Sequence, residues 1–163
     1  MDTNGLVVQI MERVIGDNLH ILGGSRRFGY ENSFSDYDFL VFVKDSQSFI
    51  DKCHKELGFS IKMNGFAYTG ISNTTLLESK ILGRNIHIVV FVDLTQFNNT
   101  VIGHEFVESV LKECPPLLEF VKNIKGLIKG SDVYQNLVPV GKNTIRARLK
   151  KEGFAIPESD TKV

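Results

Sequence analysis

Two short apolar segments joined by a polar stretch constrain the fold of this chain more than any other feature. Residues 19–22 form the first and stop at a Gly-Gly-Ser turn, and residues 36–43 form the second. Both segments are typical of buried β-strands. Because successive side chains of a strand point to opposite faces, Asp36 and Asp38 must share one face. The pattern therefore brings two carboxylates together beside the core.

These two carboxylates require a positive partner, because like charges at that separation repel. A hard divalent cation is the usual partner, and magnesium binds through one or two carboxylates together with phosphate oxygens of a substrate. The turn at Gly23, Gly24 and Ser25 offers backbone N–H groups and a hydroxyl to such phosphates. The pattern predicts a site for a metal-bound triphosphate, with Asp36 and Asp38 as ligands of Mg²⁺, or of Mn²⁺ in its place.

The same residues resemble the signature of a known superfamily. Gly24-Ser25, Arg26 and Gly29, followed by Ser35-Asp36-Tyr37-Asp38, are similar to the motif of the DNA polymerase β-like nucleotidyltransferases. Asp36 lies eleven positions after Ser25, which is similar to the small members of that superfamily. The nucleotide-binding positions that the resemblance implies are Gly23, Gly24, Ser25, Arg26, Arg27 and Ser35, with Arg26 or Arg27 neutralising the charge of the triphosphate.

The resemblance also implies a reaction. An acceptor hydroxyl would attack the α-phosphate of a nucleoside triphosphate in line, and pyrophosphate would leave with its charge on the metal. The acceptor would be a protein, an RNA end or a small molecule. A simpler interpretation treats Gly23-Gly24 as an ordinary turn and Ser25 as the N-cap of a short helix over residues 26–30. That interpretation leaves Asp38 unexplained inside an apolar stretch.

The superfamily's third carboxylate is missing from its expected place. The strand that looks equivalent carries His87 where an Asp is expected. In one hypothesis His87 is the general base, and in a second Glu78 replaces the missing carboxylate. In a third the site binds nucleotide without turnover, because imidazole suits magnesium poorly, and in a fourth His87 is a buried structural histidine. Asp93 lies about 20 Å from His87 along an extended strand, so we exclude it from the site.

A β-hairpin is predicted around these residues. Residues 74–82 and 86–92 are the strands, with Gly83-Arg84 as the turn. The register that we expect places Lys80 opposite His87, which leaves Glu78 diagonal to His87. One face of the hairpin is then mostly polar and the other belongs to the core.

The remaining pattern predicts an α/β (α+β) fold, a nucleotidyltransferase-like mixed β-sheet flanked by helices. A helix over residues 6–15, a helix from residue 46 to Gly58 and a strand over 59–63 accompany the segments above. Helical periodicity begins at residue 101, and Pro115-Pro116 fits the start of a second C-terminal helix. We expect a core over 1–100, a C-terminal helical part over 101–152 packed on it, and a flexible tail over 153–163.

Composition narrows the class of protein further. A chain of 163 residues that is 42% hydrophobic and 23% charged has ordinary globular composition, which argues against long disorder. Cys53 and Cys114 lie far apart without a metal-binding pattern, so reduced thiols are predicted. The N-terminus shows no signal peptide and no apolar run could span a bilayer, so we predict a cytoplasmic protein without a membrane partner.

The charge is unevenly distributed although its formal sum is zero. Residues 1–111 carry nine Lys or Arg against thirteen Asp or Glu, and residues 112–163 carry ten against six. The densest basic cluster is Arg146, Arg148, Lys150 and Lys151. It would contact the phosphates of a substrate, or it is a solvated basic helix, which we favour because no aromatic residue is interleaved.

Two hypotheses of function follow from the sequence. The first is a metal-dependent nucleotidyltransferase that uses Asp36, Asp38, His87 and Glu78. The second is a catalytically inactive protein of the same fold that binds nucleotide, RNA or a protein partner. The substitution at the third acid is what keeps the second hypothesis open.

Overall fold

The fold is a mixed five-stranded sheet with helices on both faces. The computed structural model describes residues 2–31, 35–66, 73–125 and 151. In chain order the elements are α1 (Thr3–Ile15), β1 (His20–Gly23), α2 (Gly24–Phe28), β2 (Tyr37–Phe42), α3 (Ser46–Leu57), β3 (Ser60–Phe66), β4 (Thr74–Ile81), β5 (Arg84–Phe91), α4 (Leu94–Glu113) and α5 (Pro115–Lys125). The predicted fold class is confirmed, and both strands that flank the Gly-Gly-Ser turn are present.

The sheet order is β1-β2-β5-β4-β3. Strand β2 pairs parallel to β5, and the other neighbours pair antiparallel. Since β2 and β5 run in the same direction, their first residues meet at the same end of the sheet. This end carries Asp36, Asp38 and His87.

Side-chain alternation divides the core into two layers. On one face Phe39, Ile88 and Leu77 pack with residues of α1 and α3. On the other face Leu40, Val89 and Leu76 pack with Phe97 of α4. A third cluster joins α4 to α2 and α5 through Val107, Leu111 and their neighbours.

Local capping explains where the helices begin. Asp45 accepts a hydrogen bond from the Ser48 backbone N–H at 3.1 Å, and the C-cap Gly58 is in the left-handed conformation. Helix α3 therefore begins at residue 46 and ends before Gly58, as predicted. Helix α1 begins at Thr3, three residues before the predicted start. Helix α4 begins at Leu94 rather than at residue 101, because Asp93 caps it by accepting from the Gln96 N–H at 2.9 Å. The division into parts at residue 101 stays a prediction.

The predicted hairpin register is wrong by two residues. The turn is Leu82-Gly83, and both residues have positive φ, 52° and 75°, as a two-residue type I′ turn requires. Glycine at the second turn position adopts this conformation without a steric cost. The shift keeps every side chain on its predicted face, because it moves the strands by an even number of residues. Glu78 therefore lies directly opposite His87 instead of diagonal to it.

Some predictions about the rest of the chain fall outside this description. The basic cluster Arg146, Arg148 and Lys150 lies outside the described residues, and only the exposed Lys151 of that set is described. The predicted tail over 153–163 lies outside them too. Cys53 is buried and Cys114 exposed, and both are free thiols. Within the described ranges, no helix combines the length and hydropathy needed to cross a bilayer.

Candidate functional site

One row of residues across the sheet forms the site. Gly23 pairs with Asp38, Asp38 with His87, and His87 with Glu78, each directly opposite the next. Residues opposite each other in neighbouring strands project to the same face. Four strands that are distant in sequence thus place these residues side by side.

The imidazole of His87 lies between carboxylates. Its Nδ1 is 3.3 Å from Asp38 Oδ1 and 3.7 Å from Asp36 Oδ2. Its Nε2 is 2.7 Å from Glu78 Oε2. The ring separates Glu78 from the two aspartates, so the three carboxylates do not converge on one point.

The contacts of His87 with carboxylates affect the protonation of its ring. A carboxylate is only an acceptor, so each ring nitrogen must carry a hydrogen to bond to its partner. The hydrogen bond with Asp38 is the largest cause that raises the pKa of His87, and Glu78 and the Asp36 charge add to it, while burial acts in the opposite direction. These contacts favour the protonated form of the ring, in which both ring nitrogens donate.

Lys62 of β3 extends the row at its far end. Its Nζ donates to Glu78 Oε2 at 2.9 Å. Hydrogen bonds from His87 and then from Lys62 lower the pKa of Glu78. Sequence reasoning missed Lys62, because its place depends on the irregular pairing of β3 with β4.

The Gly-Gly-Ser segment, which forms the end of β1 and the start of α2, lies directly against Asp38. Gly24 has φ +65°, and a Cβ at this position would lie 2.3 Å from Asp38 Oδ2. Gly23 is also tightly enclosed, since a Cβ there would lie 2.8 Å from Leu40 Cδ1 and 3.1 Å from His104 Nε2. Only glycine fits at Gly24, which explains the residue type in structural terms.

Ser25 is buried within α2 and does not cap it. The N-cap position belongs to Gly23, and the Ser25 carbonyl accepts from the N–H groups of Gly29 and Tyr30. The alternative in which Ser25 caps a helix over 26–30 is therefore wrong, because the helix starts two residues earlier.

The two arginines of α2 are held by contacts within the chain. Arg26 Nη2 donates to the Ser35 carbonyl at 3.0 Å, and its guanidinium lies 4.0 Å from the centre of the Tyr37 ring. Arg27 Nη1 donates to the Leu22 carbonyl at 3.3 Å, and its Nε lies 3.7 Å from Glu108 Oε2. Arg26 thus contacts the residues before β2, and Arg27 contacts the end of β1 and α4. Binding of phosphate by either arginine stays a prediction.

The aspartate pair has features that suit a divalent cation. Asp36 Oδ1 is buried without a hydrogen-bond partner in the described part of the chain. The Nδ1 atom of His87 already lies where both aspartates reach it. Two carboxylates with phosphate oxygens satisfy magnesium. Among the described residues, no group of three or more His, Cys, Asp or Glu is arranged to hold an ion.

Comparisons with known proteins agree with this fold. No protein-family model and no curated protein sequence matches the chain. Among solved structures, the conserved protein GrpB from Enterococcus faecalis matches with a TM-score of 0.61 at 20% identity over 91% of both chains. A cytoplasmic RNA terminal U-transferase matches with a TM-score of 0.51 at 16% identity, over 75% of this chain and 37% of its own.

A third structure, the Cid1 poly(U) polymerase with Mg 3'-dATP bound, matches with a TM-score of 0.54 at 15% identity, over 75% of this chain and 39% of its own. The chain thus spans less than two fifths of the length of both RNA-extending enzymes. Identity at this level shows the fold alone. The chain has a nucleotidyltransferase-like fold. Its Gly-Ser and Asp-x-Asp motif resembles the signature of the DNA polymerase β-like superfamily.

Proposed function

We propose that this chain binds a metal-complexed nucleoside triphosphate and transfers the nucleoside monophosphate to a hydroxyl acceptor. The observation that carries the proposal is the close approach of the Asp38 carboxylate to Gly24, where a Cβ would collide with Asp38 Oδ2. Phosphate groups held at the backbone of Gly24 would lie beside a metal held by Asp36 and Asp38. Neither half of this site binds a triphosphate well alone, because bare carboxylates repel phosphate.

The chain's own residues would divide the work as follows. Asp36 and Asp38 would hold Mg²⁺ or Mn²⁺, which when bound offsets the charge on the phosphates. The missing side chain of Gly24 lets the Asp38 carboxylate approach this backbone closely, so a phosphate held at neighbouring N–H groups would lie near the metal. Glu78 accepts a hydrogen from His87 Nε2 and so orients the ring toward the aspartates. In these contacts His87 would donate hydrogen bonds rather than act as the base. The acceptor hydroxyl would release its proton to solvent as it attacks the α-phosphate and pyrophosphate leaves.

A second candidate function is nucleotide binding without transfer. The observation that favours it is the position of His87, whose two nitrogens are both engaged by carboxylates where the superfamily carries an acid. A protein of this kind would bind nucleotide, RNA or a protein partner. In either case the cytoplasmic location remains part of the proposal.

Label transfer separates the two functions. The chain is incubated with each α-³²P-labelled nucleoside triphosphate, Mg²⁺ or Mn²⁺, and protein, RNA and small-molecule acceptors. Transfer of label to one acceptor class supports the first function. Metal-dependent nucleotide binding without transfer supports the second, and absence of both contradicts the site.

Asp38→Asn tests the residues of the site. Loss of a direct ligand should weaken metal-dependent nucleotide binding by at least about 100-fold, since outer-shell substitutions already cost about 10- to 100-fold. Asp45→Asn is the matched control, because it removes the same charge beyond the other end of β2 and asparagine is an equally good helix cap. Equal affinity of the two variants would contradict the aspartate assignment.

A further inference from the structure

We infer that the ring of His87 is an internal counter-ion at the cation position of the aspartate pair, so that a divalent ion binds only by displacing the ring from Asp38. The inference rests on the proposed function, because it concerns the control of that same site. Its consequence is that the free ion binds weakly and the ion carried by a nucleotide binds well.

The position of Nδ1 is the first argument. Asp36 and Asp38 both approach this single atom, at 3.7 and 3.3 Å. A cation that neutralises both carboxylates must lie where both can reach it. The ring therefore uses the location that a metal ion would need.

The two sides of the ring are held unequally. The contact of Nε2 with Glu78 is 2.7 Å, within the usual range for a charge-assisted hydrogen bond, whereas the contact of Nδ1 with Asp38 is 3.3 Å, clearly longer than that range. Glu78 is itself fixed by Lys62. Displacement should thus break the longer contact and keep the ring attached to Glu78.

Access to the pair is open enough for exchange. The side chains of Asp36 and Asp38 are 24% and 23% exposed to solvent, and that of His87 is 15% exposed. Asp36 Oδ1 also has no hydrogen-bond partner within the described ranges, so it gains a partner when an ion arrives. Phosphate oxygens of a nucleotide would add further ligands and favour the displaced state.

The test is Mn²⁺ binding without nucleotide, measured from the electron paramagnetic resonance signal of free Mn²⁺. His87→Asn removes the counter-ion and should tighten Mn²⁺ binding by about 10- to 100-fold, which corresponds to one charged hydrogen bond. His87→Lys keeps a cation and should bind Mn²⁺ no better than the wild type. His54→Asn is the control, since the His54 ring bonds to the Phe59 carbonyl.

A His87→Asn variant that binds Mn²⁺ as weakly as the wild type overturns the inference. Weaker binding overturns it too, because the ring would then be a ligand of the ion. A second measurement uses the wild type, so it does not depend on the variants folding. The ¹⁵N resonance of His87 Nδ1 should shift with Mg²⁺ plus nucleotide and stay in place with the same concentration of Mg²⁺ alone, and a shift with Mg²⁺ alone also counts against the inference.

Failure of the inference and failure of the proposed function give different results. If His87→Asn gains Mn²⁺ affinity but the wild type binds no nucleotide, the inference about His87 stands and the proposed function is rejected. If the wild type transfers label but His87→Asn has unchanged Mn²⁺ affinity, the proposed function stands and the inference about His87 is rejected.

Discussion

Two neighbouring rows on the same face of the sheet have opposite character. One row consists of Asp38, His87 and Glu78. The next row is displaced by two residues, forward in β2 and β5 and backward in the antiparallel β4, and consists of Leu40, Val89 and Leu76. In the apolar row Leu40 and Val89 are completely buried, whereas the Glu78 side chain is 40% exposed. Phe97 of α4 packs on the apolar row. The comparison indicates that one row stabilises the sheet and the other remains accessible for binding.

The largest effect is expected from a substitution in the apolar row. Leu40→Ala removes a fully buried side chain and should lower the free energy of unfolding by about 2–5 kcal/mol. Leu94→Ala is the control, because Leu94 is 45% exposed and its truncation should cost under about 0.5 kcal/mol. Urea denaturation measures both values. Similar costs for the two variants would contradict the stabilising role of the apolar row.

A smaller effect is expected at the edge of the charged row. Gly24→Ala puts a Cβ against Asp38 at a positive φ, which should cost about 1–3 kcal/mol of strain and abolish metal-dependent nucleotide binding. Gly29→Ala is matched, since Gly29 has φ +87° and a Cβ there meets nothing within 4 Å. Calorimetric nucleotide titration compares the variants. Retained binding in Gly24→Ala would show that the turn is not part of the site.

The two rows should also differ in their response to pH. The pKa of Glu78 is lowered from its ordinary value of 4.5. Glu78 therefore stabilises the fold fully above pH 4.5, and this stabilisation is lost as the pH falls through the lowered pKa. The pKa of His87 is raised from its ordinary value of 6.5. His87 therefore stabilises the fold fully below pH 6.5, and this stabilisation is lost as the pH rises through the raised pKa. The charged row should therefore stabilise the fold most between pH 4.5 and 6.5.

Urea unfolding of the wild type and His87→Gln across the pH range measures this window. Their difference in stability should be largest between pH 4.5 and 6.5 and shrink above it, while the cost of Leu40→Ala stays constant. His104, whose pKa is lowered by burial, is present in both chains and cancels from the difference. A difference independent of pH would remove the electrostatic distinction between the rows.

The smallest effect is expected at the exposed end of the charged row. Lys62→Met removes an ion pair whose side chains are 49% and 40% exposed, so the free energy of unfolding should fall by about 0–1 kcal/mol. Because screening weakens exposed pairs, the loss should shrink further in 1 M salt. A loss above about 2 kcal/mol would mean that Lys62 supports more of the row than its exposure indicates.

Much of the fold was predictable because it depends on local rules. Alternation placed Asp36 and Asp38 on one strand face, and the pattern around Asp45 and Gly58 predicted the limits of α3. The predicted start of α4 is too late, because helical periodicity becomes clear only at residue 101 whereas Asp93 caps the helix. Parity also assigned the faces of the hairpin correctly although the register was wrong.

The sequence by itself determined which residues share a strand face, where most helices and strands lie, and that two carboxylates stand beside a Gly-Ser turn. Only the tertiary structure decided that Glu78 is opposite His87, that Lys62 joins them, and that the imidazole ring contacts both aspartates. The physical reason is that alternation has a period of two along one strand, whereas the register between strands is set by turn geometry and burial. A site assembled from four strands therefore depends on pairings that no single segment encodes.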